Sequence, residues 1–522
     1  MTSSARARKT LPGQRFPRTT AWQHRAAIGR ATIGDQLRRH ARTHPGKVAF
    51  VTYTPDRVET TYGELDALAN RYAHLLATRG VERGDVVAML ARNGVAVVAA
   101  YYGALKLGAA FTVVNPTFRA HEVAQQLDHA EPKAVLADPA LAHLVDGTPV
   151  LLGPDLDAEL AEQPATEPVA EVDENDVAML VYTSGTTAMP KGVLIPHRNY
   201  LISTAPAWSQ GLQTGPEDTW LFVMPFHTIA GLGSMTTLTL LGATLVLPAS
   251  ADPAATLPML ARERVTVLAQ TPTFYLALAA QPGFGPATVG SVRRCLTYGG
   301  QVAPAAVEAW SAAAPTARWG TYWGQSELSQ LGTVGWFAGL EDIPNGGDPS
   351  WIGKPVSHLE VRVVDEDGND AELGELICRS PSVMLGYHRD PGRTKAAFAS
   401  GWLHTGDIVR VDADGNLFFH DRLTDVIKSG GMNVSSQEVE RVLHSHPDVQ
   451  RAAVVGRPDP YWSEAVTAFV IARPGATPDP NAVIAFCRER LAGFKVPKAV
   501  HVVAELPVDA QGKILKRELR GS

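Results

Sequence analysis

The chain of 522 residues is too long for one ordinary hydrophobic core, so two or three domains are expected. Its residues are 45% hydrophobic and 19% charged, which is typical of a folded globular protein and excludes a largely disordered one. A net charge of −6 gives no general attraction to nucleic acid or anionic membranes, and three widely spaced cysteines exclude a disulfide framework. The composition therefore favours a reducing, cytoplasmic setting, with no nucleic-acid partner and no membrane span.

The N-terminus is basic. The first 34 residues contain no Asp or Glu but seven Arg or Lys, and they lack the apolar run of a secretory signal. We predict a loose extension over residues 1–31. An Arg-rich, acid-poor start is also typical of transit peptides, so a targeting role stays open.

The folded body begins near Thr32 and alternates helices with apolar strands. Thr61 and Glu64 form a capping box at the start of a helix that Gly80 ends. Continuous apolar strands such as "DVVAML", "KAVLAD", "VAMLVYT", "ATLVLP" and "VTVLAQ" lie between helical segments. This alternation predicts an α/β fold with mostly parallel sheets covered by helices on both faces.

From about Leu359 the pattern changes to alternating strands joined by Asp-Gly turns, which predict antiparallel hairpins and a small β-barrel-like part. A small α/β unit closes the chain, and Ser435 and Glu438 are predicted to form a second capping box there. The expected domains are therefore a large one over residues 32–421 and a small, mobile one over residues 422–522.

One loop directly follows the strand "VAMLVY" and reads "TSGTTAMPKG", from Thr183 to Gly192. Its glycines expose backbone N–H groups, its hydroxyls add donors and Lys191 adds a positive charge, which together suit phosphate oxygens. It is not a Walker A loop, because Pro190-Lys191-Gly192-Val193 lacks the G-K-[ST] ending whose Ser or Thr would bind Mg²⁺. A simple P-loop ATPase is therefore disfavoured.

The loop resembles the S-G-T-T-x-x-P-K-G signature of the adenylate-forming enzymes, which include acyl-CoA synthetases, aryl-CoA ligases, peptide-synthetase adenylation domains and luciferases. The other motifs of that family follow in their fixed order: "PFHT" (Pro225–Thr228), "YGGQ" (Tyr298–Gln301), "YWGQSE" (Tyr322–Glu327), "GWLHTGD" (Gly401–Asp407), "DRLTDVIKSGG" (Asp421–Gly431) and "LPVDAQGKILKREL" (Leu506–Leu519). The resemblance covers the chain from about Thr32 to Leu519.

The resemblance implies that a carboxylic acid reacts with ATP to give an acyl-adenylate and pyrophosphate. Glu327 is then the acidic residue near Mg²⁺, Lys191 offsets charge on the leaving group, and Lys513 bridges the substrate carboxylate and the α-phosphate. The implied ATP-binding residues are Thr183, Ser184, Gly185, Thr186, Thr187, Lys191, Gly299, Gly300, Gln301, Tyr322, Trp323, Gln325, Ser326, Asp407, Arg422 and Lys513. Among them Asp407 binds the ribose, and Trp323 offers an aromatic face for adenine.

The resemblance also implies a second step, in which the small domain swings about a hinge and the thiol of CoA attacks the adenylate. Gly430 and Gly431 then line the thiol channel, where only glycine lets a pantetheine arm pass close to the backbone. Thr424 stands where relatives carry Lys or Asp at the hinge. His227, a catalytic or gating residue, would line the acid pocket with Tyr298 and Trp336, which favours an aryl or short-to-medium acid.

Two alternatives stay open at this point. The same adenylation could serve another acceptor, such as a carrier protein, an amine or a small oxyacid, or the chain could be a non-catalytic nucleotide-binding protein of the same fold. Retention of Lys513, Glu327 and the loop argues against the second. The leading expectation is a monomeric or homodimeric acid–CoA ligase that uses ATP, Mg²⁺ and CoA.

Overall fold

The computed structural model describes residues 31–53, 56–183, 191–429, 432–459, 461–508 and 514–521. In these residues the strands form three sheets, with 13, 7 and 5 strands. The basic extension that was predicted over residues 1–31 lies almost entirely outside the described residues. No helix in the described part of the chain is long and apolar enough to cross a bilayer.

The seven-stranded sheet has the order β18-β8-β7-β4-β3-β5-β6. Strands β3, β4, β5, β6 and β7 are parallel, as the apolar runs predict, whereas β8 and β18 add an antiparallel edge. The strands are β3 (Val86–Leu90), β4 (Ala110–Val113), β5 (Ala134–Ala137), β6 (Val150–Leu151), β7 (Val177–Thr183), β8 (Lys191–Pro196) and β18 (Gly386–Tyr387).

The 13-stranded sheet is parallel in its centre, from β13 through β12, β11, β9 and β10 to β1, and antiparallel at both ends. The hairpins predicted after Leu359 form one of these ends as β16, β17, β19 and β20, and β15 joins them to β14. Its strands are β1 (Val48–Tyr53), β2 (Arg57–Thr61), β9 (Thr219–Leu221), β10 (Thr244–Leu247), β11 (Val267–Gln270), β12 (Arg294–Thr297), β13 (Arg318–Trp323), β14 (Thr333–Phe337), β15 (Trp351–Pro355), β16 (Glu360–Val364), β17 (Leu373–Arg379), β19 (Leu403–Val411) and β20 (Leu417–Arg422).

Helices cover these two sheets. They are α1 (Ile33–Thr43), α2 (Tyr62–Thr78), α3 (Val95–Lys106), α4 (Ala120–Ala130), α5 (Pro154–Glu162), α6 (His197–Asn199), α7 (Ala205–Gly211), α8 (Ser234–Leu240), α9 (Pro253–Arg262), α10 (Pro272–Ala279), α11 (Pro286–Val289), α12 (Pro304–Ala313), α13 (Pro344–Gly347) and α14 (Pro391–Ala397). Single π-helical turns, Tyr200–Thr204 and Ile229–Gly233, lead into α7 and α8. Such turns are uncommon and often occur at functional sites.

The sequence-predicted signals of α2 are confirmed. The Thr61 side chain accepts a hydrogen bond from the backbone of Glu64, whose carboxylate accepts one from the backbone of Thr61. Gly80 follows the helix with a φ of +76°, in the left-handed region that favours glycine. The apolar face of α2 packs closely against α3, because a Cβ on Gly103 would come within 2.7 Å of the Tyr72 Cβ.

The C-terminal unit has its own five-stranded sheet and core. It contains β21 (Ile427–Ser429), β22 (Met432–Val434), β23 (Val449–Asp459), β24 (Ser463–Ala472), β25 (Ala499–Val502), α15 (Ser436–His444), α16 (Pro480–Arg488) and α17 (Lys516–Gly521). Ser435 caps α15 as predicted, although the Glu438 carboxylate binds Lys495 instead of completing the capping box. The domain boundary predicted at residue 421 falls at the end of β20.

Parallel strands end at one edge of a sheet, and their following loops therefore meet there. The motifs "YGGQ" and "YWGQSE" follow or end the neighbouring strands β12 and β13, and "PFHT" follows β9. The fold thus gathers segments that are distant in sequence at one edge of the large sheet.

Candidate active site

The flanks of the predicted phosphate loop belong to one hairpin. Strand β7 ends at Thr183 and β8 begins at Lys191, and these two residues are paired across the antiparallel strands. The predicted phosphate ligands Ser184, Gly185, Thr186 and Thr187 lie outside the described residues. The described chain therefore fixes the two ends of the loop next to each other.

A tyrosine that sequence reasoning missed connects Lys191 with Glu327. The Tyr387 hydroxyl donates a hydrogen bond to the Glu327 carboxylate at 2.8 Å, and the Lys191 ammonium lies 5.2 Å from the centroid of the Tyr387 ring. Burial and the nearby Glu327 carboxylate raise the pKa of Tyr387, so its hydroxyl remains a donor. Tyr387 reaches this place through β18, which pairs with β8 just after Lys191.

Glu327 is half-buried and lies on a single 3₁₀ turn, Ser326–Leu328, which begins three residues after the last residue of β13. The described residues contain no group of three or more His, Cys, Asp or Glu side chains that could hold a metal ion. A lone carboxylate nevertheless suits Mg²⁺, which is usually bound by one or two carboxylates together with substrate phosphates and water. Glu327 therefore fits the predicted metal role.

The predicted adenine loop follows β12. Gly299 has a φ of +70° and, like Gly300, is exposed, so backbone is accessible there. The ring of Tyr298 lies 5.3 Å from that of Tyr322, which is buried at the end of β13. The half-buried Gln301 reaches the small domain, because its side-chain amide donates to Gln437 on α15 at 3.5 Å.

The predicted ribose ligand Asp407 is fully buried and has partners on two sides. The Trp323 indole N–H donates to one carboxylate oxygen at 2.8 Å, and the Arg422 guanidinium lies 2.7 Å from the other. Asp407 and Arg422 face each other across β19 and β20, so the register of this hairpin sets the ion pair. Trp323 thus contacts Asp407, the predicted ribose ligand. Its stacking on adenine stays a prediction.

Two more predicted ATP ligands lie within the "YWGQSE" motif, just before Glu327. Ser326 is buried and Gln325 is half-buried. The Gln325 side-chain nitrogen is buried and, among the described residues, has no hydrogen-bond partner. It is therefore a donor that remains available to a ligand.

His227 lies in a loop that is clamped from the other sheet. Asn93 accepts from the backbone N–H of Phe226 at 2.9 Å and donates to the carbonyl of Met224 at 2.8 Å. The Thr228 side chain then caps the π-helical turn by accepting from the backbone of Gly231 at 3.1 Å. Burial lowers the pKa of His227 from 6.5 to about 4, so its imidazole is neutral near pH 7.

Trp336 lies further from this edge than the other predicted acid-pocket residues. Trp336 on β14 pairs with Gly320 on β13. Tyr322 is two residues nearer the end of β13 and pairs with Val334. Its indole donates to the carbonyl of Gly211 at 2.7 Å, and it lines a cleft of about 350 Å³ beside α7. The contact that places it in one pocket with His227 and Tyr298 stays a prediction.

The predicted catalytic Lys513 and the channel residues Gly430 and Gly431 lie outside the described residues. Their neighbours are well anchored. Val508 and Ile514, on either side of residues 509–513, form an antiparallel bridge. Lys516 is buried in an ion pair with Glu440 at 2.8 Å.

The predicted hinge is tied to the C-terminal helix. The Arg520 guanidinium donates to the backbone carbonyl of Thr424 at 2.7 Å and to the Asp425 carboxylate at 2.8 Å. The Asp421 carboxylate accepts from the backbone N–H of Ser436 at 2.6 Å, at the start of α15. The segment on which the small domain is predicted to swing is therefore attached to that domain at α17, whereas Asp421, at the end of the large domain, contacts the start of α15.

The predicted nucleotide and acid motifs thus lie on a large α/β body and on a small C-terminal domain that has its own sheet. Residues 37–388 match the model of the AMP-binding enzyme family, and residues 438–513 match that of the AMP-binding enzyme C-terminal domain. The chain belongs to the AMP-binding enzyme family, which confirms the resemblance read from its motifs.

Individual relatives agree over nearly the whole chain. It is 34% identical over 500 residues to 2-succinylbenzoate–CoA ligase of Geobacillus kaustophilus, with 94% of this chain and 98% of the relative covered. It is 31% identical over 544 residues to long-chain-fatty-acid–CoA ligase of Bacillus subtilis, with 95% of each chain covered. The structure of o-succinylbenzoate CoA synthetase from Bacillus subtilis, solved with its acyl-adenylate intermediate, superposes with a TM-score of 0.82 at 28% identity, covering 93% of this chain and 98% of that one.

Proposed function

We propose that this chain joins an aryl or short-to-medium-chain carboxylic acid to CoA, and that the residues gathered above carry the reaction. The reaction class is that of an ATP-dependent acid–CoA ligase, with ATP, Mg²⁺ and CoA as its cofactor and co-substrates. The narrower acid class is supported by the compact aromatic pair Tyr298 and Tyr322 at the sheet edge.

In the first step a carboxylate oxygen of the acid attacks the α-phosphorus of ATP, and the bond to the β-phosphate breaks to release pyrophosphate. Two anions must meet, so positive groups and donors are needed where charge develops. Lys191, at the end of the phosphate loop, offsets charge on the leaving pyrophosphate. Glu327 would hold Mg²⁺, which supplies further charge neutralisation on the phosphates.

Asp407 orients the nucleotide. A carboxylate has about four acceptor positions, and Trp323 and Arg422 occupy two of them. Ribose hydroxyls are expected to donate to this same carboxylate. Because the Trp323 N–H fixes the carboxylate before ATP arrives, little ordering is left to be done on binding.

His227 acts as a neutral group. With a pKa of about 4 it carries almost no charge near pH 7, so it does not neutralise the incoming carboxylate. Its role is to close the acid side of the site and to donate one hydrogen bond. The positive charge near the reacting carboxylate is left to Lys513, which the small domain brings to the α-phosphate.

In the second step the sulfur of CoA attacks the acyl carbon, and the bond to the adenylate oxygen breaks to release AMP. The small domain turns about the segment that includes Thr424, so that Gly430 and Gly431 face the thiol. Attachment of Thr424 and Asp425 to Arg520 on α17 keeps this segment with the small domain as it turns.

The single observation that carries the proposal is the contact of Lys191 with Tyr387 and of Tyr387 with Glu327. It joins the predicted phosphate loop to the predicted metal ligand, two motifs that are far apart in sequence. This is the arrangement that handling of ATP phosphates beside a metal ion requires.

The test is ATP–pyrophosphate exchange with fatty, aryl and small acids, followed by product analysis with and without CoA. We expect exchange that depends on an acid and does not need CoA, and an acyl-CoA only when CoA is added. Exchange without any thioester would favour another acceptor, such as a carrier protein or an amine. Absence of exchange with every acid would refute the proposal and favour the non-catalytic alternative.

A further inference from the structure

Two buried polar side chains meet beside the segment that carries His227. Tyr200 is fully buried on the π-helical turn Tyr200–Thr204, and Gln330, three residues after Glu327, is 5% exposed. A Cβ placed on Gly233 would lie 2.6 Å from the Tyr200 hydroxyl and 3.3 Å from the side-chain oxygen of Gln330. Because Gly233 has no side chain, the Tyr200 hydroxyl and the side-chain oxygen of Gln330 both approach the position that its Cβ would occupy.

Neither polar atom has a hydrogen-bond partner among the described residues. The other side-chain atom of Gln330, its nitrogen, does have one, because it donates to the Ser234 hydroxyl. Other buried side-chain atoms of the described residues also lack a partner, and what distinguishes these two is that they converge on one point. Burial raises the pKa of Tyr200, so its hydroxyl keeps its proton.

The two residues are held rigidly. The Asn199 amide donates to the Ser329 hydroxyl at 2.9 Å, which ties together the residues that precede Tyr200 and Gln330. Ser329 and Gln330 have φ values of +53° and +105°, in the left-handed region that non-glycine residues seldom adopt. Backbone strain of this kind persists where the surrounding structure enforces it, and it clusters at ligand sites.

The pair also lies next to the proposed acid site. The side chain of Ile229, two residues after His227, lies 3.1 Å from the position that a Cβ on Gly233 would occupy. On the other side, the carbonyl of Gln330 packs directly against Gly324, within the "YWGQSE" motif. The two unpaired atoms therefore lie between the segment that carries His227 and the segment that carries Glu327.

We infer that Tyr200 and Gln330 determine specificity by binding a hydroxyl group on the body of the acid. Such a hydroxyl accepts from the Tyr200 O–H and donates to the side-chain oxygen of Gln330, so both atoms become paired. A plain hydrocarbon leaves both unpaired. A second carboxylate would face the Gln330 oxygen with no positive charge among Tyr200, Ile229, Gly233, Ser234 and Gln330.

The inference rests on the proposed function and narrows its acid to a hydroxylated one. Its test compares kcat/KM for adenylation with pairs of acids that differ by one hydroxyl: benzoic with 3- and 4-hydroxybenzoic, 3-phenylpropionic with 3-(4-hydroxyphenyl)propionic, and octanoic with 8-hydroxyoctanoic acid. In at least one pair we expect kcat/KM to be about tenfold or more higher for the hydroxylated acid. The acid without the hydroxyl leaves the buried polar atoms of Tyr200 and Gln330 unpaired. Tyr200→Phe and Gln330→Met should each reduce that preference to about twofold or less, while kcat/KM for the parent acid stays within about threefold.

Tyr102→Phe is the matched control. Tyr102 is also a fully buried tyrosine, but its hydroxyl already shares a hydrogen bond with Thr239. Tyr102→Phe should lower Tm and leave the preference unchanged, whereas Tyr200→Phe should remove the preference without lowering Tm, because no protein hydrogen bond is lost. This separates a specificity role from a structural one.

The outcomes are distinct. Exchange with acids but no preference in any pair, or a preference that survives Tyr200→Phe, would overturn this inference and leave the proposed function standing. A preference for a second carboxylate over a hydroxyl would overturn it as well. No exchange with any acid would overturn both.

Discussion

On the nucleotide side of the candidate site, Asp407 already holds an indole N–H and a guanidinium, and Glu327 already accepts from Tyr387. On the acid side, the Tyr200 hydroxyl and the side-chain oxygen of Gln330 have no partner among the described residues. ATP is the same in every turnover, so its two carboxylate ligands are fixed by the protein in advance, and the Gln325 side-chain nitrogen is the one buried, unpaired donor among the predicted ATP ligands that the structure describes. We infer that the acid side is completed by the substrate, which is how a common scaffold can serve different acids.

The largest effect is expected from Lys513→Ala, which removes the charge that bridges the two reacting anions. Adenylation should fall by at least about a thousandfold, whereas thiolysis of a supplied acyl-adenylate should stay mostly intact. Lys498→Ala, which removes another lysine of the small domain, is the control and should change neither half-reaction appreciably. Adenylation near the original rate in Lys513→Ala would refute the assignment.

The next effect tests the nucleotide side through its metal ligand. Glu327→Gln removes the carboxylate charge and should lower kcat for adenylation by about a hundredfold, with a higher Mg²⁺ concentration needed for half-saturation. Tyr387→Phe keeps Glu327 but removes its donor, so its loss should be about tenfold or less. An unchanged Mg²⁺ dependence in Glu327→Gln would show that the ion is held elsewhere.

Asp407→Asn should act on ATP rather than on the acid. Loss of the charge weakens the contacts with Arg422 and with the ribose, so KM for ATP should rise by about 10- to 100-fold. The hydroxyl preference should be unchanged, because Tyr200 and Gln330 belong to the other side. A shift in acid preference in Asp407→Asn would contradict the claim that the nucleotide side and the acid side act independently.

The last effect concerns the dependence of stability on pH and is expected to leave catalysis near pH 7 least affected. The unfolded chain protonates His227 near its ordinary pKa of 6.5, whereas the folded protein does so only near 4. The free energy of unfolding therefore loses a contribution as pH falls from about 6.5 to 4, by up to about 3 kcal/mol. In His227→Gln this loss should disappear, and urea unfolding of both proteins across that range measures it. Parallel curves for the two proteins would contradict the buried, neutral imidazole.

Much of the fold is legible in the sequence, for physical reasons that differ between elements. The α2 helix carries its own start and stop, in Thr61, Glu64 and Gly80, and apolar runs with no alternation indicate parallel strands buried on both faces. The β1–β2 hairpin was not predicted, because the exposed strand Arg57–Thr61 has few apolar residues and gains its place only by pairing with β1.

Residues of the candidate site can be predicted from the sequence only where they lie within one motif. Lys191, Glu327 and Asp407 stand in such motifs, whereas Tyr387 reaches Glu327 through the pairing of β18 with β8. Tyr200 and Gln330 carry no local signal either, since their meeting depends on the contact of Asn199 with Ser329. Long-range pairing of this kind cannot be read from spacing along one chain.

The most direct measurement follows the oxygen atoms of the acid. A carboxylic acid labelled with ¹⁸O in both carboxylate oxygens is incubated with the protein, ATP, Mg²⁺ and CoA, and the products are analysed by mass spectrometry. Attack of the carboxylate on the α-phosphorus, followed by thiol attack on the acyl carbon, leaves one ¹⁸O in AMP and one in the acyl-CoA. Label in free phosphate or pyrophosphate, or AMP without label, would contradict an acyl-adenylate formed at this site.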